Sequence, residues 1–390
     1  MAYSMLYVDD ERDLEDIVRQ RLGRRIRKGE IDFHFAGNGV EALKELAAHP
    51  EITVVFSDIN MPEMDGLTLL KKILELGLPI RTVIVSAYGD MDNLRHAMNV
   101  GAYDFIVKPI DFRDLEATLD KAIEEIKKEE QARETKATLT HLRNEMDYAG
   151  QLQRRILPTI FPESEQYKLF AKTLAAQEVG GDFYDFFNLD SDLIGFAIAD
   201  ISGKGMPAAI FMAVCRTILF VSAASLKDHH PMVTVKRTNA LLSEKNPEMF
   251  FATAFYGTLN LKTGALRYCN AGHLPPLLIG AGGEISELPC SRGVPLGVEG
   301  GFSYDEGEYT MKPGEMLYLF TDGVSEAHNA DSELYSEERL KKLLEKEDTP
   351  ADPVKIVDAV WNSVEEFRGD TKRYDDITQL AIQYTGPAKS

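Results

Sequence analysis

The stretch AIADISGKGMPAA, residues 197–209, decides the architecture of the C-terminal half of this chain. An apolar run ends in a carboxylate, Asp200, and two glycines then lead into a run of helix-forming residues. This order predicts a strand, a tight turn next to an acid, and a helix. Acidic residues follow apolar runs or flank glycine in three more segments of this half, EVGGDFYD (178–185), LFTDGVSEA (319–327) and RYDDITQL (373–380).

One aspartate from each of these segments is a candidate metal ligand, namely Asp182, Asp200, Asp322 and Asp375. Carboxylates gathered at strand ends repel one another unless cations neutralise them. Two hard divalent cations at such a centre can hold a phosphoryl group and activate water. The sequence has no His or Cys cluster with zinc spacing, so the predicted ions are Mn²⁺ or Mg²⁺. Asp185 and Asp376 are either additional ligands or exposed turn carboxylates.

The elements around these acids predict an α+β fold, in which helices flank antiparallel sheets. The predicted strands are Leu193–Ile201, Phe250–Leu261, Ala265–Asn270, Pro276–Ile279, Met316–Thr321 and Ile377–Gln383. The predicted helices are Ala208–Ala223, Val233–Leu242 and Pro353–Arg368.

The first 120 residues have a different pattern, in which short apolar runs alternate with amphipathic helical segments. Such alternation predicts a doubly wound α/β fold with a five-stranded parallel sheet. The predicted strands are Tyr3–Val8, Ile31–Ala36, Ile52–Ser57, Arg81–Val85 and Tyr103–Val107. The functional residues of these sheets gather at the carboxyl ends of the strands. The residues placed there are Asp9, Asp10, Asp58, Ser86 and Lys108.

The residue types at this edge predict phosphoryl chemistry. The carboxylates of Asp9, Asp10 and Asp58 offer the oxygen ligands that Mg²⁺ prefers. Asp58 is then a candidate nucleophile towards a phosphoryl group. Ser86 and Lys108 are placed to hold the phosphate oxygens, the lysine as a point charge.

The segments YVDDE (7–11), SDINMPEMDG (57–66), SAYGD (86–90) and AYDFIVKP (102–109) make residues 1–120 similar to a response regulator receiver domain. The resemblance implies that Asp58 is the phosphoacceptor and that a sensor histidine kinase is the upstream partner. It also implies a Mg²⁺ site made by Asp9, Asp10, Asp58 and the backbone carbonyl of Asn60.

The same resemblance assigns the receiver switch to Ser86, Phe105 and Lys108. It implies a cis peptide bond before Pro109, which aims Lys108 at the site. Phe105 has two interpretations, because it is either the switch aromatic of this family or a core side chain of the fifth strand.

The segment between Phe112 and Leu157 contains one glycine, Gly150, and no proline, and it is rich in Glu, Lys, Ala, Gln and Arg. It predicts a continuous helix of about 45 residues, roughly 68 Å long at 1.5 Å per residue. Apolar residues spaced by three or four form a coiled-coil-like seam at Leu139, Leu142, Met146, Ala149, Leu152 and Ile156. The seam favours a homodimer through the connector; a solvated spacer and packing on the next domain are the alternatives.

Together with YAGQLQRRILP (148–158) and NAGHLPPLL (270–278), the acidic segments make residues 148–386 similar to bacterial metal-dependent (PPM/PP2C-type) serine/threonine phosphatases. The similar branch is that of the sporulation phosphatase and of stress-response phosphatases that act on anti-sigma-factor antagonists. The resemblance implies an αββα sandwich, a centre of two Mn²⁺ or Mg²⁺ ions, and hydrolysis of phosphoserine or phosphothreonine without a covalent phosphoenzyme.

Residue roles in the second domain follow from the resemblance. Asp200 would bridge both metal ions, with the Ile201 carbonyl as a neighbouring ligand. Asp322 and Asp375 would complete the second metal site, and Asp182 would support the first, directly or through water.

Two features depart from the eukaryotic branch of these phosphatases. The position of its leaving-group histidine is occupied by Ser202, and no residue matches its phosphate-binding arginine. His273 is either a general acid or a structural residue, so the proton donor and the residue that binds the substrate phosphate stay open.

The predicted organisation is a receiver at 1–120, a helical connector at 121–157 and a phosphatase domain at 158–386. The expected function is a phosphorylation-regulated response regulator that dephosphorylates a partner protein, such as an anti-sigma-factor antagonist. The alternative is a phosphorylation-controlled adaptor that keeps the phosphatase fold but acts by binding a partner.

Composition narrows the remaining functional classes. Asp and Glu number 63 against 43 Lys and Arg, which gives a net charge of −20 and argues against binding nucleic acid or anionic membranes. The three cysteines are widely spaced, which is typical of a reducing compartment. The N-terminus has no basic leader, and no apolar run is expected to reach the ~18 residues that span a bilayer. A soluble, cytoplasmic protein is therefore expected.

Overall fold

The computed structural model describes residues 2–87, 90–244, 246–345 and 352–388. The chain divides into two compact units, residues 1–139 and 140–390. Of the segment SAYGD (86–90), Tyr88 and Gly89 lie outside the described residues.

The first unit is built on a parallel five-stranded sheet, as the sequence predicted, and its strand order is β2-β1-β3-β4-β5. Its strands are β1 (Tyr3–Val8), β2 (Ile31–Ala36), β3 (Ile52–Asp58), β4 (Arg81–Ala87) and β5 (Asp104–Lys108). Its helices are α1 (Arg12–Arg21), α2 (Gly23–Arg27), α3 (Gly39–Ala48), α4 (Gly66–Glu75) and α5 (Met91–Val100). Strand residues such as Tyr7, Phe56 and Val85 are buried, so the sheet is covered by helices on its faces.

Local sequence explains where two of these helices begin. The Asn38 side chain accepts hydrogen bonds from the N–H groups of Val40 and Glu41 and caps α3. Asp65 caps α4 by accepting from the N–H of Thr68. These caps satisfy backbone donors that have no partner inside the helix, and they fix the loops that follow β2 and β3.

A single helix, α6 (Phe112–Ile156), follows β5 and is 45 residues long, as the composition of the connector predicted. Its first turns bury Leu115, Leu119 and Ile123 in the core of the first unit. The middle of the helix, residues 127–145, is solvent-exposed. The helix therefore begins as part of one hydrophobic core and continues as an exposed rod.

The second unit contains two antiparallel five-stranded sheets, with strand orders β13-β10-β9-β8-β7 and β12-β11-β14-β15-β6. The first five strands in chain order are β6 (Tyr167–Leu174), β7 (Phe183–Asp190), β8 (Leu193–Ile201), β9 (Ala252–Asn260) and β10 (Ala265–Ala271). The others are β11 (Leu277–Ile279), β12 (Ile285–Glu287), β13 (Gly307–Thr310), β14 (Met316–Phe320) and β15 (Ile377–Tyr384). The helices are α7 (Met206–Ser225), α8 (Pro231–Glu244), α9 (Asp322–Ser325), α10 (Glu337–Leu344) and α11 (Pro353–Arg368).

The layers are helix, sheet, sheet and helix. Helices α7 and α8 cover the sheet that contains β8, and α11 covers the sheet that contains β15. The two sheets pack on each other through one hydrophobic cluster. It includes Phe196 and Phe255 from one sheet and Leu380 from the other. The α+β sandwich expected from the sequence is confirmed.

Helix α7 corrects one expectation, because it is long and apolar enough to cross a membrane by length and composition, with a mean hydropathy of 1.9. Its inward face buries Met212, Cys215 and Leu219 in the core, and Arg216 pairs with the buried Asp185. A core helix of a folded domain passes the same test; in α7, 39% of the apolar window is buried, and Ile210 and Val221 on its other face are exposed.

Candidate functional site

The carboxyl ends of β1, β3 and β5 bring the predicted receiver residues together. Lys108 donates hydrogen bonds to Asp58 Oδ2 at 2.6 Å and to Asp9 Oδ2 at 2.9 Å. Asp9 and Asp58 are buried and Asp10 is exposed, and one carboxylate oxygen from each lies within 4.8 Å of the others. This spacing and these all-oxygen donors fit one Mg²⁺ ion at the mouth of the site.

The electrostatics of this edge depend on burial and on one cation. Burial raises the pKa of Asp9, against hydrogen bonds from Lys108 and from the Glu11 N–H. Burial alone would lower the pKa of Lys108, but its hydrogen bonds with Asp58 and Asp9 outweigh that effect and raise it. Lys108 is therefore held as a cation against Asp58, the predicted phosphoacceptor.

The backbone behind Asp58 has no room for a side chain. A Cβ on Gly66 would meet the Asp58 carbonyl oxygen at 2.1 Å and Ser57 Oγ at 2.8 Å. The glycine that ends the motif SDINMPEMDG is therefore needed so that α4 can begin directly beneath this strand end.

The other residues predicted for the receiver site lie near the same edge of the sheet. Ser86 is buried at the end of β4, with its Oγ 3.5 Å from Asp90 Oδ2, and Asn60 is exposed after β3. The bond between Lys108 and Pro109 is cis, as the resemblance implied. Phe105 is 41% exposed, so it is not the core side chain that one interpretation required.

In the second unit the four predicted acids lie at strand ends of both sheets. Asp182 precedes β7 and Asp200 lies near the end of β8, whereas Asp322 follows β14 and Asp375 precedes β15. Within the described ranges, no three of these carboxylates converge within 4.8 Å as the receiver acids do.

The pKa values show that these acids are close neighbours. Burial, followed by the charges of Asp322 and Asp375, raises the pKa of Asp200 to about 7. Burial and the charge of Asp375 raise the pKa of Asp322 to about 6. Burial and the charge of Asp200 raise the pKa of Asp182. Carboxylates that raise one another's pKa in this way carry negative charge that no nearby cation fully neutralises. Bound divalent cations would neutralise it.

Lys204 is a cation within this cluster that the sequence analysis did not single out. Its Nζ lies 2.9 Å from Asp375 Oδ2 and donates a hydrogen bond to the Tyr374 carbonyl, and its side chain is 48% exposed. Both neighbours in the chain are glycines with positive φ, Gly203 at 87° and Gly205 at 75°. The signal was present in the sequence as a lysine between two glycines, four residues after Asp200.

Asp376 is not the exposed turn carboxylate of one interpretation, because it is buried and its carboxylate binds backbone N–H groups. Its carboxylate accepts hydrogen bonds from the N–H groups of Ala176 at 2.7 Å, Gly181 at 2.6 Å and Asp182 at 3.3 Å. Thr321 completes the support by donating to Asp182 Oδ2 at 2.7 Å. Asp376 and Thr321 therefore position the loop that carries Asp182.

Two other residues considered from the sequence are buried and have side-chain partners within the fold. Asp185 is buried and paired with Arg216 of α7, Oδ2 to Nε at 3.0 Å, so it is not an exposed turn carboxylate. His273 is 2% exposed, its Nδ1 lies 3.0 Å from Thr253 Oγ1, and burial lowers its pKa to about 4.

Ser202, at the position where the eukaryotic branch of these phosphatases has histidine, makes two hydrogen bonds with the backbone of Phe251. Its hydroxyl accepts a hydrogen bond from the N–H of Phe251 at 2.9 Å, and its own N–H donates to the Phe251 carbonyl at 2.8 Å. The carbonyl of the preceding residue, Ile201, lies 3.2 Å from the position that a Cβ on Gly181 would occupy. The two glycines before Asp182 thus let its loop approach the predicted Ile201 ligand.

A crevice lined by groups of both charges includes Asp375. Its cations are Arg368, Lys372 and Arg373, and Glu326 also lines it. The rings of His328 and Tyr374 stack there, with their centroids 4.6 Å apart. Arg368 and Arg373 each donate to Glu365 at 2.8 Å. This crevice was not predictable from the sequence, because its residues are spread over two segments that only the fold brings together.

Two family models match this chain. Residues 190–385 match the model described as Stage II sporulation protein E (SpoIIE), and residues 5–120 match the response regulator receiver domain. The first match includes Asp200, Asp322 and Asp375 but begins after Asp182. Both resemblances drawn from the sequence are confirmed.

Several curated proteins match part of this chain. Protein IcfG of Synechocystis is 28% identical over 265 residues, which are 62% of this chain and 41% of IcfG. Phosphoserine phosphatase RsbU of Bacillus subtilis is 27% identical over 244 residues, 62% of this chain and 70% of RsbU. Among solved structures, the SiaA-PP2C domain of Pseudomonas aeruginosa has a TM-score of 0.55 at 21% identity, covering 64% of this chain and 99% of that domain. This last likeness supports the PP2C fold.

Proposed function

This chain belongs to the stage II sporulation protein E family and carries a response regulator receiver domain, and we propose that it is a response regulator whose output is a metal-dependent protein phosphatase. Its substrate class is phosphoserine or phosphothreonine on a partner protein. The observation that carries the proposal is the cluster of Asp182, Asp200, Asp322 and Asp375, whose members lie at the ends of both sheets and for three of which the pKa is raised by burial and mutual repulsion.

The donor set fits two hard divalent cations. Asp200 would lie between them, with Asp182 and the Ile201 carbonyl towards one ion and Asp322 and Asp375 towards the other. Mn²⁺ or Mg²⁺ bound there would activate a water and neutralise charge on the phosphoryl group. The chain's own part is to hold these oxygens in place, which Asp376 and Thr321 do for the Asp182 loop.

Lys204 is the proposed residue that binds the substrate phosphate, a role for which the sequence offered no arginine. Its ammonium lies at the rim of the acid cluster, and it is half-exposed on a loop with a glycine on each side. An ammonium there can meet a phosphoryl oxygen as a point charge. In the adjoining crevice Arg368 and Arg373 are paired with Glu365, so the exposed Lys372 would be the cation that meets the remaining negative charge of a phosphoprotein.

The proposed regulation begins at the receiver. A sensor histidine kinase would phosphorylate Asp58, with Mg²⁺ held by the neighbouring acids, and Lys108, Ser86 and Phe105 would respond to the new charge. The proposed limits are 1–120 for the receiver, 121–157 for the connector and 158–386 for the phosphatase domain. We place the protein in the cytoplasm, with an anti-sigma-factor antagonist as the proposed substrate.

The connector is proposed to make a homodimer. Much of its apolar seam is exposed within the chain, since Leu139 is 62% exposed, Leu142 50% and Ile156 42%, whereas Met146 and Ala149 are half-buried. Three exposed apolar side chains along one helix favour pairing with a second copy of that helix.

The test measures phosphate release from a phosphoserine protein with Mn²⁺, with Mg²⁺ and with EDTA. We expect release only with a divalent cation, and Asp200→Asn should reduce it to background because the proposed central ligand is lost. Asp190→Asn is the matched control, because Asp190 is an exposed residue at the opposite end of the β7–β8 hairpin. Equal turnover in the Asp200 and Asp190 variants would refute the assigned centre, and binding of the phosphoprotein without release would favour the adaptor.

A further inference from the structure

A second group of metal-ligating side chains lies in the first unit, away from Asp58. His34 is on β2, which is an edge strand of the sheet. His49 directly follows α3, and Glu51 precedes β3. One nitrogen from each histidine and one oxygen from Glu51 all lie within 4.8 Å of one another. None of these residues belongs to the receiver chemistry described above.

Nitrogen and oxygen atoms that can bind a metal ion lie close together here. His49 Nδ1 is 3.1 Å from Glu51 Oε1. Glu45 lies beside both rings, with Oε2 3.7 Å from His34 Nδ1 and 3.8 Å from His49 Nε2. The ring centroids of His34 and His49 are 4.2 Å apart.

An independent observation concerns His34 itself. Its side chain is only 14% exposed, and its Nε2 is buried without a hydrogen-bond partner. The nearest carboxylate oxygen on that side, Asp32 Oδ2, is 3.4 Å away. A buried ring nitrogen without a hydrogen bond is costly in free energy unless it gains another partner.

We propose that His34, His49 and Glu51, with Glu45 beside them, form a binding site for one divalent transition-metal ion of the zinc class. Two imidazoles and a carboxylate are a ligand set that Zn²⁺ accepts, at Zn–N distances of about 2.0–2.1 Å. Mg²⁺, which prefers oxygen ligands, does not compete well for such a set. A bound ion would tie the edge strand to the turn between α3 and β3. The site does not depend on the proposed phosphatase function.

The experiment is a Zn²⁺ titration of the full chain by isothermal calorimetry in excess Mg²⁺, which occupies the all-carboxylate sites. We expect the parent to bind one equivalent of Zn²⁺ that His49→Gln and Glu51→Gln bind at least tenfold more weakly. His96→Gln is the control, because His96 is an exposed histidine on α5 outside the group. Thermal melting with and without Zn²⁺ provides a second readout, with stabilisation in the parent and the control only.

Glu51 has a side chain that is 53% exposed, so its variant tests the site even if a histidine variant fails to fold. Co²⁺ in place of Zn²⁺ should give visible absorption bands typical of nitrogen ligation, and these bands should disappear in His49→Gln. The inference is overturned if His49→Gln and Glu51→Gln bind Zn²⁺ with the parent's stoichiometry and affinity, or if the loss in His96→Gln is as large as theirs.

Discussion

Single residues set the charge balance of the candidate phosphatase centre. The pKa of Asp200 is raised to about 7 and that of Asp322 to about 6, in both cases first by burial and then by neighbouring acids. One lysine, Lys204, offsets part of this negative charge. The protonation of Asp200 and the contact of Lys204 with phosphate can therefore each be tested.

The first prediction concerns stability against pH in excess EDTA. Asp200 has a folded pKa of about 7 against an ordinary value of 3.8. Between these values the folded protein binds more protons than the unfolded chain, so the free energy of unfolding falls as pH rises. We expect the second unit to be more stable near pH 5 than near pH 7.5, as followed by fluorescence of Trp361, the one tryptophan in the sequence.

The matched variants isolate this effect. Asp200→Asn should flatten the dependence on pH, whereas the exposed Asp190→Asn should leave it as in the parent. Stability that rises between pH 5 and pH 7.5 in the parent would contradict the assigned pKa.

The second prediction is that Lys204→Met lowers kcat/KM for a phosphoserine protein by about tenfold to a hundredfold, as expected when a hydrogen bond to a charged group is lost. Inhibition by inorganic phosphate should weaken in parallel, and Lys204→Arg should restore part of both. Lys262→Met is the control, because Lys262 is a lysine 66% exposed that pairs with Asp192. An unchanged inhibition constant for phosphate in Lys204→Met would remove this residue from phosphate binding.

At the scale of elements, the end of α6 is attached directly to the loop that carries Asp182. Gln153 Nε2 donates to the Gly180 carbonyl at 2.6 Å, and the Gly180 N–H donates back to Gln153 Oε1 at 3.0 Å. Gly150 is buried one turn earlier, where a Cβ would lie 1.9 Å from the Glu178 carbonyl oxygen. The helix can approach this loop only because residue 150 is glycine.

The third prediction follows from that contact. Alanine is favoured over glycine inside a helix by about 1 kcal/mol, yet Gly150→Ala should destabilise the second unit by about 1–3 kcal/mol because of the clash. The control is Gly301→Ala, where a Cβ meets nothing within 4 Å. Urea unfolding followed by Trp361 fluorescence measures both, and a Gly150→Ala protein as stable as the parent would show that the contact is not tight.

The fourth prediction concerns the apolar seam of α6. Leu142→Glu combined with Met146→Glu should weaken self-association, because charge in a helix–helix interface is costly. It should also uncouple phosphatase activity from the receiver while leaving a basal metal-dependent rate. Asn144→Glu combined with Gln151→Glu adds the same charge at exposed positions on the opposite face of the helix.

Light scattering and phosphate release, with and without beryllofluoride, are measured together on both variants. A seam variant that responds to beryllofluoride as fully as the off-seam variant would exclude the seam as the coupling element.

Helices and strands with a clear local pattern of apolar residues or of composition were predictable from the sequence. Features that depend on contacts between residues far apart in the chain were not. Strands β1 and β2 follow the apolar runs in the sequence, and α6 follows its composition, because these signals are local. Short strands such as β12 and β13, each of three or four residues, have too few residues to show a period. The role of Asp376 depends on backbone groups about 200 positions away, which no local pattern reports.

In the whole molecule, one chain joins a receiver domain to a phosphatase domain of the SpoIIE type. The sequence predicted both domains because their acids lie in short motifs next to strands. It did not predict the cations Lys204, Arg368 and Arg373 near the second centre, since their positions depend on how the loops fold.

The most direct test of the central claim is phosphate release from a phosphoserine protein by the full chain in Mn²⁺, with and without beryllofluoride, compared with Asp58→Asn. An amide is not a carboxylate nucleophile, so Asp58→Asn should neither take up a phosphoryl group nor respond to the mimic. We predict Mn²⁺-dependent release in both proteins and a change of rate with beryllofluoride in the parent alone. Release that needs no metal ion, or a rate in the parent that beryllofluoride leaves unchanged, would contradict a receiver-controlled metal-dependent phosphatase.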